Sequence, residues 1–387
     1  MHAITLSLTF VLLALPIMAN NARAESDANA SKKQRVYIGT YTGGDSEGIY
    51  LCELDANTGS LKLKGLAGEA NNPSFLALHS SGDFLFAVSE VEDYAATGGG
   101  AVAAFSVDQQ SGLLKLLNHQ SSGGRGPCHV SVDRQSRNVL VANYGSGSVS
   151  VAPIGDDGTL KDPSATVQHE GSSVNPDRQE GPHAHSINVS PDNRFAFVAD
   201  LGLDKILIYK LDASDGTLTP NDPPHAKLAP GAGPRHFAFH PSGKFAYVIN
   251  ELTSTVTAFA YDADRGALAV LQTISTLPEN FSGNNTTAEI QIHPTGKYLY
   301  GSNRGHDSIA MFAIDAATGK LTALGQHPSG GKTPRNFGID PSVAYLLAAH
   351  QDSNSVVVHR IDPATGRLAA TDYKVEIPTP VCVTFAP

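Results

Sequence analysis

A short hairpin pattern recurs along the chain and constrains the fold more than any other feature. In PRHFAFHPSGKFAYVINE, which begins at Pro234, an alternating strand is followed by a PSG turn and a second strand. Matching stretches are PSFLALHSSGDFLFAVSE, PCHVSVDRQSRNVLVANY, AHSINVSPDNRFAFVADL, TAEIQIHPTGKYLYGSNR and PRNFGIDPSVAYLLAAHQ. Another strand follows each hairpin, and a D-x-x-x-G-x-L segment such as DADRGAL then turns the chain again. Four strands in a repeat of roughly 45–55 residues are typical of a β-propeller blade.

The two ends of the repeat region supply one blade between them. PVCVTFAP, residues 380–387, matches only the first strand of the unit. RVYIGTY, GIYLCELD and LKLKGL, near the N-terminus, match the second, third and fourth strands. Six whole units and this shared one predict an all-β, seven-bladed propeller with four antiparallel strands per blade, closed by pairing of the N-terminal strands with the C-terminal strand. We expect residues 33–387 to form it as a single domain.

The first 24 residues predict a signal peptide rather than part of the fold. ITLSLTFVLLALPIMA is an apolar run of signal-peptide length, and Ala22-Arg23-Ala24 supplies an A-x-A cleavage site. The run is short for a membrane span, which needs about 20 residues. The sequence therefore predicts export to the periplasm or the exterior, without membrane attachment after cleavage.

The net charge and the cysteine content limit which partners, metals and cofactors the sequence predicts. The formal net charge of −10 argues against nucleic acid or an anionic membrane surface as a partner. Three cysteines occur without a CxxC or a Cys/His metal spacing, which favours buried, unreactive thiols. Nucleotide-binding loops, nucleophile elbows and zinc motifs are absent from the sequence, so we expect no cofactor.

Polar residues concentrate at the open ends of the hairpins. The first strand of a blade runs beside the central channel and the second returns antiparallel to it, so the start of one and the end of the other lie at the same rim. The hairpin from Pro234 carries Arg235, His236, Asn250 and Glu251 at these ends. The equivalent positions of other repeats include Glu90, Cys128, Asn143, Tyr144, His185, Asp200, Asn303, Arg304, Arg335 and His350. Such a rim suits a small anionic or polyhydroxylated ligand.

Three neighbouring stretches resemble a known family. GPHAHSINVSPDNRFAFV, GAGPRHFAFHPSGKFAYVINELTSTV and LPENFSGNNTTAEIQIHPTGKYLYGSNR are similar to the seven-bladed lactonase propellers, which include the propeller-type 6-phosphogluconolactonases and the fungal carboxymuconate cyclases. The resemblance covers essentially the whole mature chain. It implies a metal-free site at one end of the channel that opens or closes a lactone ring. It further implies that His185, Arg235, Glu251 and Arg304 are the catalytic set.

Lactone hydrolysis assigns roles to these residues. A neutral imidazole is a suitable base near pH 7, which favours His185, with His183 as the weaker candidate. Arg235 and Arg304 can clamp an anionic or hydroxyl group or face the developing oxyanion. Glu251 can orient Arg235 or serve as the acid–base group itself. The choice between His185 and Glu251 as proton acceptor stays open from the sequence alone.

Further rim and loop residues are candidates for substrate binding. They are His183, His236, Asn250, Asn303, Arg335, His350 and Glu279. Because side chains alternate along a strand, we expect His236 to point away from Arg235 and to play a supporting part. Glu279 lies in the loop LPENFSGNNTTAE, which could cover the mouth of the channel.

The sequence thus favours a metal-independent lactonase that hydrolyses a small sugar-acid lactone. The predicted export separates the protein from phosphorylated cytosolic sugars, so an unphosphorylated aldonolactone stays open beside a 6-phosphogluconolactone. A calcium-dependent lactonase is one alternative, because Asn143, Asp200, Asn250, Asn303 and Glu251 supply oxygen donors near one axis. A non-catalytic ligand-binding or scaffold propeller is the other, since a fold does not assign a function.

Overall fold

The structure is a computed structural model that describes residues 1–2, 33–94 and 98–386. Residues 33–387 group by their contacts into one unit, and residues 1–32 into another. The predicted signal peptide, residues 1–24, lies outside the described residues apart from Met1 and His2. In the part of the chain that the structure describes, no helix has the length and apolar character needed to cross a membrane.

Seven four-stranded antiparallel sheets make up the second unit. In the first three sheets the strands, from the innermost outward, are β28 (Pro380–Phe385), β1 (Lys33–Thr40), β2 (Gly48–Asp55), β3 (Leu61–Glu69); β4 (Leu76–Leu78), β5 (Phe84–Ser89), β6 (Ala101–Val107), β7 (Leu114–Ser121); and β8 (Pro127–Val132), β9 (Asn138–Asn143), β10 (Ser148–Pro153), β11 (Ala165–Gln168). The next two are β12 (Ala184–Val189), β13 (Phe195–Asp200), β14 (Lys205–Asp212), β15 (Thr217–Lys227); and β16 (Pro234–Phe239), β17 (Phe245–Asn250), β18 (Thr255–Asp262), β19 (Ala267–Ser275). The last two are β20 (Thr286–Ile292), β21 (Tyr298–Arg304), β22 (Ser308–Ile314), β23 (Leu321–Pro328); and β24 (Pro334–Ile339), β25 (Tyr345–His350), β26 (Ser355–Ile361), β27 (Leu368–Glu376). Two single-turn 3₁₀ helices, Leu201–Leu203 and Gln351–Ser353, follow β13 and β25.

The ring is closed by the strand that comes last in the chain. β28 pairs antiparallel with β1, with Ile38 opposite Val383 and Gly39 opposite Cys382. The innermost strands contact one another in sequence around the channel, and β28 contacts both β24 and β4. The predicted seven-bladed propeller and its mode of closure are confirmed.

The D-x-x-x-G-x-L segments link neighbouring blades. In the turn after β22, the side chain of Asp315 accepts hydrogen bonds from the backbone N–H groups of Ala317 and Thr318 at 3.0 and 2.8 Å. Gly319 has a φ of +70°, and a Cβ there would lie 2.4 Å from a ring carbon of Phe245 in the preceding blade. The buried Tyr247 hydroxyl donates to the Gly319 carbonyl at 2.8 Å. The glycine is therefore required both by its backbone angle and by the close approach of Phe245 from the preceding blade.

β-Bulges at the start of several innermost strands change the direction of the side chains beside the central channel. In β16, Pro234 pairs with Asn250 and His236 pairs with Ile249, so Arg235 is skipped. The same shift skips Cys128 in β8, His185 in β12 and Arg335 in β24. A bulge re-aims side chains and interrupts strict alternation. The bulged residues are the rim residues that the repeat comparison picked out.

Candidate active site

A cavity of about 350 Å³, here called the upper cavity, opens where the innermost strands begin. Its wall consists of residues at the starts of innermost strands, at or directly after the ends of second strands, and in the loop between β11 and β12. They are Glu90, Cys128, Tyr144, Arg178, His185, Glu251, Thr286, Arg304 and Arg335. Neighbouring blades therefore place guanidinium groups, carboxylates and an imidazole around one small cavity.

Glu251, directly after β17, is the centre of this site. Its carboxylate lies 2.7 Å from Nη2 of Arg178, 3.1 Å from Nε of Arg235 and 3.0 Å from Nη2 of Arg304. Burial alone would raise the pKa of Glu251, but Arg304, Arg235 and Arg178 outweigh it and lower the pKa to about 2. Glu251 is thus ionised at neutral pH, which favours an orienting and charge-compensating role over that of a general acid.

His185 lies beside this carboxylate, nearly inaccessible to solvent. Its Nε2 is 3.9 Å from Oε2 of Glu251, and its Nδ1 is 3.6 Å from Sγ of Cys128. Burial, together with the positive charge of Arg235 and the neighbouring His236 and Arg335, holds the pKa of His185 well below its usual range. The ring is therefore neutral at pH 7 and has a lone pair available for a proton.

Arg235 lies beneath Glu251 and does not line the upper cavity. Its Nη1 donates to the carbonyl of Ala288 at 2.8 Å and lies 3.2 Å from Nε2 of His236. Only 3% of its side chain is exposed. In this geometry Arg235 holds Glu251 from below.

A second polar group faces Glu251 across the upper cavity. Arg335 donates from Nη2 to the hydroxyl of Tyr41 at 2.8 Å, and its guanidinium lies 5.4 Å from the centre of the Tyr41 ring. The Tyr41 hydroxyl lies 3.1 and 3.0 Å from the two carboxylate oxygens of Glu90, to which it donates. Ser74 also donates to Glu90. Arg335 is thereby fixed at the cavity wall.

Comparison with known proteins identifies the family. The family described as "Lactonase, 7-bladed beta-propeller" matches residues 35–385. The chain belongs to this lactonase family. It is 42% identical over 285 residues to the 6-phosphogluconolactonase of Bacillus subtilis, covering 74% of this chain and 79% of that protein. The 6-phosphogluconolactonase of Formosa agariphila is 37% identical over 298 residues, covering 75% of this chain and 82% of that protein.

A solved structure extends this likeness to the whole ring. The periplasmic gluconolactonase of Pseudomonas aeruginosa is 32% identical to this lactonase-family chain and superimposes with a TM-score of 0.87. The match covers 92% of this chain and 99% of that one.

Arg178 is the main residue of the upper cavity that the sequence comparison missed. It lies in the loop between β11 and β12, where its Nη2 donates to Glu251 at 2.7 Å and to the Tyr144 hydroxyl at 3.2 Å. Its side chain is 37% exposed, so this guanidinium meets both solvent and the buried carboxylate. The loop is not part of the repeated hairpin, so comparing blades could not find it. The one available signal was its place in NPDRQEGPHAH, just before His185.

Three predicted substrate-binding residues bond within the blades instead of lining the upper cavity. Nδ2 of Asn250 donates to the hydroxyls of Thr255 and Thr257, both at 2.9 Å. Nδ2 of Asn303 donates to the Thr276 carbonyl at 3.1 Å and to Ser308 Oγ at 3.1 Å. The buried Nδ1 of His350 lies 3.3 Å from the Ser355 carbonyl. These contacts tie the second strand to the segments beside it, while Oδ1 of Asn250 and Nε2 of His350 are buried without a hydrogen-bond partner among the described residues.

The remaining three candidates do not line the upper cavity: His183 lies beside it, His236 lies below it and Glu279 lies away from it. The ring of His183 stacks on Tyr144, with its Nδ1 3.0 Å from the Tyr144 carbonyl, and does not line the cavity. Glu279 is exposed in the loop after β19 and does not line it either. The expectation that His236 points away from Arg235 is wrong, because the bulge in β16 turns both side chains inward and places His236 below Arg235.

The residues considered as oxygen donors for calcium make hydrogen bonds within the protein. Nδ2 of Asn143 donates to the Ser122 carbonyl at 2.9 Å. Asp200 accepts from the His183 backbone N–H at 2.8 Å and lies 2.6 Å from Nδ1 of His169. Within the described ranges, no group of three or more His, Cys, Asp or Glu residues is arranged to hold a metal ion.

The three cysteines are free and buried, as predicted. Burial raises the pKa of Cys52 to about 12 and that of Cys382 to about 12, and it also raises the pKa of Cys128. The thiol of Cys128, although it lines the upper cavity, is therefore protonated at neutral pH and a weak nucleophile.

The charge state of His185 predicts an unusual pH profile for lactone hydrolysis. Since the pKa of His185 is lowered in the folded protein, the imidazole stays neutral on acidification below its ordinary value of about 6.5. Glu251, with a pKa of about 2, stays ionised across the same range. With an unphosphorylated lactone such as gluconolactone, we expect kcat/KM to show no protonation limb centred near pH 6.5, measured with the enzyme-free hydrolysis rate subtracted. A protonation limb centred near pH 6.5 would contradict the assignment of a neutral, buried His185.

Proposed function

We propose that this protein hydrolyses a small sugar-acid lactone by metal-independent general acid–base catalysis in the upper cavity. The observation that carries the proposal is a neutral His185 placed 3.9 Å from an ionised Glu251 that three guanidiniums surround. The cavity of about 350 Å³ suits one sugar-sized ring. The family and the names of its relatives agree with this reaction class.

The geometry supports the following sequence of bond changes. Neutral His185 accepts a proton from water while the water oxygen bonds to the lactone carbonyl carbon. Arg304, at the cavity wall, stabilises the negative charge that develops on the carbonyl oxygen. As the intermediate collapses, the bond between that carbon and the ring oxygen breaks, and the imidazolium returns its proton to the ring oxygen. Glu251 keeps its charge throughout, orienting Arg304 and stabilising the transient imidazolium.

The net charge of the site favours a substrate with an anionic substituent. Four guanidiniums, on Arg178, Arg235, Arg304 and Arg335, lie in or directly beneath the upper cavity together with two carboxylates, on Glu90 and Glu251. Within this set of six groups two positive charges are uncompensated, and the further carboxylate of Glu289 lies beyond His236. A phosphate monoester such as that of 6-phosphogluconolactone would balance them, with the partly exposed Arg178 nearest to solvent.

A specific observation supports an unphosphorylated lactone as the second candidate. The chain is similar over 92% of its length to a periplasmic gluconolactonase, and residues 1–24 have the pattern of a signal peptide. An exported enzyme would meet neutral aldonolactones rather than cytosolic sugar phosphates.

Hydrolysis of a lactone panel, with and without EDTA, tests the proposal. We expect kcat/KM to be at least about tenfold higher for 6-phosphogluconolactone than for gluconolactone, because an uncompensated guanidinium pair favours the anion. Arg178→Gln should reduce this ratio by about tenfold, whereas Arg178→Lys, which keeps the charge, should preserve most of it. EDTA should leave all rates unchanged.

The matched control is Arg194→Gln, which removes an exposed arginine paired with Asp192 in the turn between β12 and β13. It should change neither substrate's rate. A higher kcat/KM for gluconolactone would instead establish the unphosphorylated substrate. Loss of activity in EDTA would point to the calcium alternative, and no hydrolysis of any lactone would favour a binding or scaffold propeller.

A further inference from the structure

The channel continues below the upper cavity into a second space. This lower cavity, of about 500 Å³, is lined by the middle and end of the innermost strands. The bulges place consecutive residues at different levels, so that Arg235 lies above His236, and Arg335 lines the upper cavity while Asn336 lines the lower one. Glu289, a residue with no part in the proposed mechanism, also lies at this lower level.

Two of the three groups bonded to Glu289 are fixed hydrogen-bond donors, and the third is an imidazole nitrogen. The backbone N–H of Ile290 donates to Oε1 at 2.9 Å, and Nδ2 of Asn336 donates to Oε2. Nδ1 of His236 lies 3.1 Å from the same Oε2. Burial raises the pKa of Glu289 to about 8, against the opposing effects of Arg235, Ile290 and Asn336. The contacts nevertheless satisfy the ionised form, because a protonated carboxyl would face two fixed donors.

The tautomer of His236 follows from its two neighbours. Its Nε2 lies 3.2 Å from Nη1 of Arg235, and a guanidinium can only donate. Nε2 must therefore accept, which leaves the ring proton on Nδ1, where it donates to Glu289. His236 is 5% exposed, so little of the ring is accessible to solvent.

We propose that Glu289 and His236 are positioning residues that fix Arg235 and, through it, the carboxylate of Glu251. The inference rests on the proposed function, since it assigns to these residues the geometry of the same lactonase site. Glu289 stabilises the Nδ1–H tautomer of His236 by accepting from Nδ1, and His236 with the Ala288 carbonyl fixes Nη1 of Arg235. The Nε of Arg235 then lies 3.1 Å from Oε2 of Glu251. A chain of four side chains connects the lower level of the channel to the reacting centre.

Two variants of His236 separate this role from simple packing. The amide of His236→Gln reaches the position of Nε2 and can accept from Arg235, whereas that of His236→Asn reaches only the position of Nδ1 and can bond to Glu289 alone. With the preferred lactone, we expect His236→Asn to lower kcat at least about tenfold with KM changed less than about threefold. His236→Gln should keep at least about a third of the wild-type kcat, and both proteins should melt at similar temperatures.

A readout that does not depend on activity tests the same chain. Nitrogen-15 NMR of the imidazoles should show His236 in the Nδ1–H tautomer, with its signal assigned by loss in His236→Gln. In Glu289→Gln the amide NH2 group must face another donor, either Nδ2 of Asn336 or the N–H of Ile290. This variant should therefore shift the tautomer equilibrium of His236 and lower kcat as His236→Asn does.

The outcomes distinguish this inference from the proposed function. Equal kcat for His236→Asn and His236→Gln in an active enzyme, or an Nε2–H tautomer in the wild type, would overturn the positioning role alone. A wild type that hydrolyses no lactone on the panel would overturn the proposed function, and with it the role assigned to this chain of residues.

Discussion

Replacing His185 with glutamine should lower kcat by about 100- to 10,000-fold, the usual contribution of a general base. Glutamine keeps a polar side chain of similar length but has no basic nitrogen, so the attacking water loses its proton acceptor. The folded protein should be little affected, because the ion-pair contact that His185 makes among the described residues is a long one, with Oε2 of Glu251 3.9 Å away. Initial rates on the preferred lactone and a thermal melt measure the two effects separately.

His183→Gln provides the comparison for His185. His183 lies two residues earlier and bonds to Tyr144 and Glu180 outside the upper cavity. We expect its replacement to change kcat much less than that of His185. A larger loss in His183→Gln would transfer the role of base to the outer histidine, and full activity in His185→Gln would leave Glu251 as the proton acceptor.

Replacing Glu251 with glutamine should remove both activity and stability. The neutral amide leaves Arg178, Arg235 and Arg304 without their shared counter-charge, two of them largely buried. Breaking a buried charge cluster in this way costs about 3–5 kcal/mol of unfolding free energy. Loss of the carboxylate that orients Arg304 should lower kcat at least about 100-fold. Denaturant unfolding and initial rates, measured on the same preparation, give the two numbers.

Glu180→Gln is the matched control for this variant. Glu180 is also a carboxylate near the mouth of the channel, but its side chain is 60% exposed and its partner is His183. An exposed pair contributes little, so both stability and rate should stay near wild type. If Glu251→Gln were as stable as wild type, the three arginines would not depend on this carboxylate.

The fold could be predicted because every blade repeats one pattern. Each hairpin carries the same alternation and turn, and each D-x-x-x-G-x-L turn packs against an adjacent sheet, as Gly319 does against Phe245. Closure was predictable as well, since PVCVTFAP lacked three strands that RVYIGTY and its successors supplied. A pattern repeated seven times leaves few other arrangements.

The site was less predictable because repeat positions do not specify side-chain direction. Asn250 and Asn303 occupy rim positions in the sequence, yet each bonds within its own blade or to the loop beside it. The bulge in β16 turns His236 inward against the expected alternation. Arg178 lies in a loop that no other blade repeats, so comparing blades could not reveal its bond to Glu251.

Closure by β28 has a consequence for biosynthesis. This strand is innermost in its sheet and bonds to β1, yet it is made after every other strand of the ring. Before the ribosome has passed residue 385, one edge of β1 is unpaired. The innermost strands β24 and β4 also lack the strand that contacts both of them in the closed ring. The ring therefore cannot close before Pro380–Phe385 has been synthesised, in whatever order the other blades form.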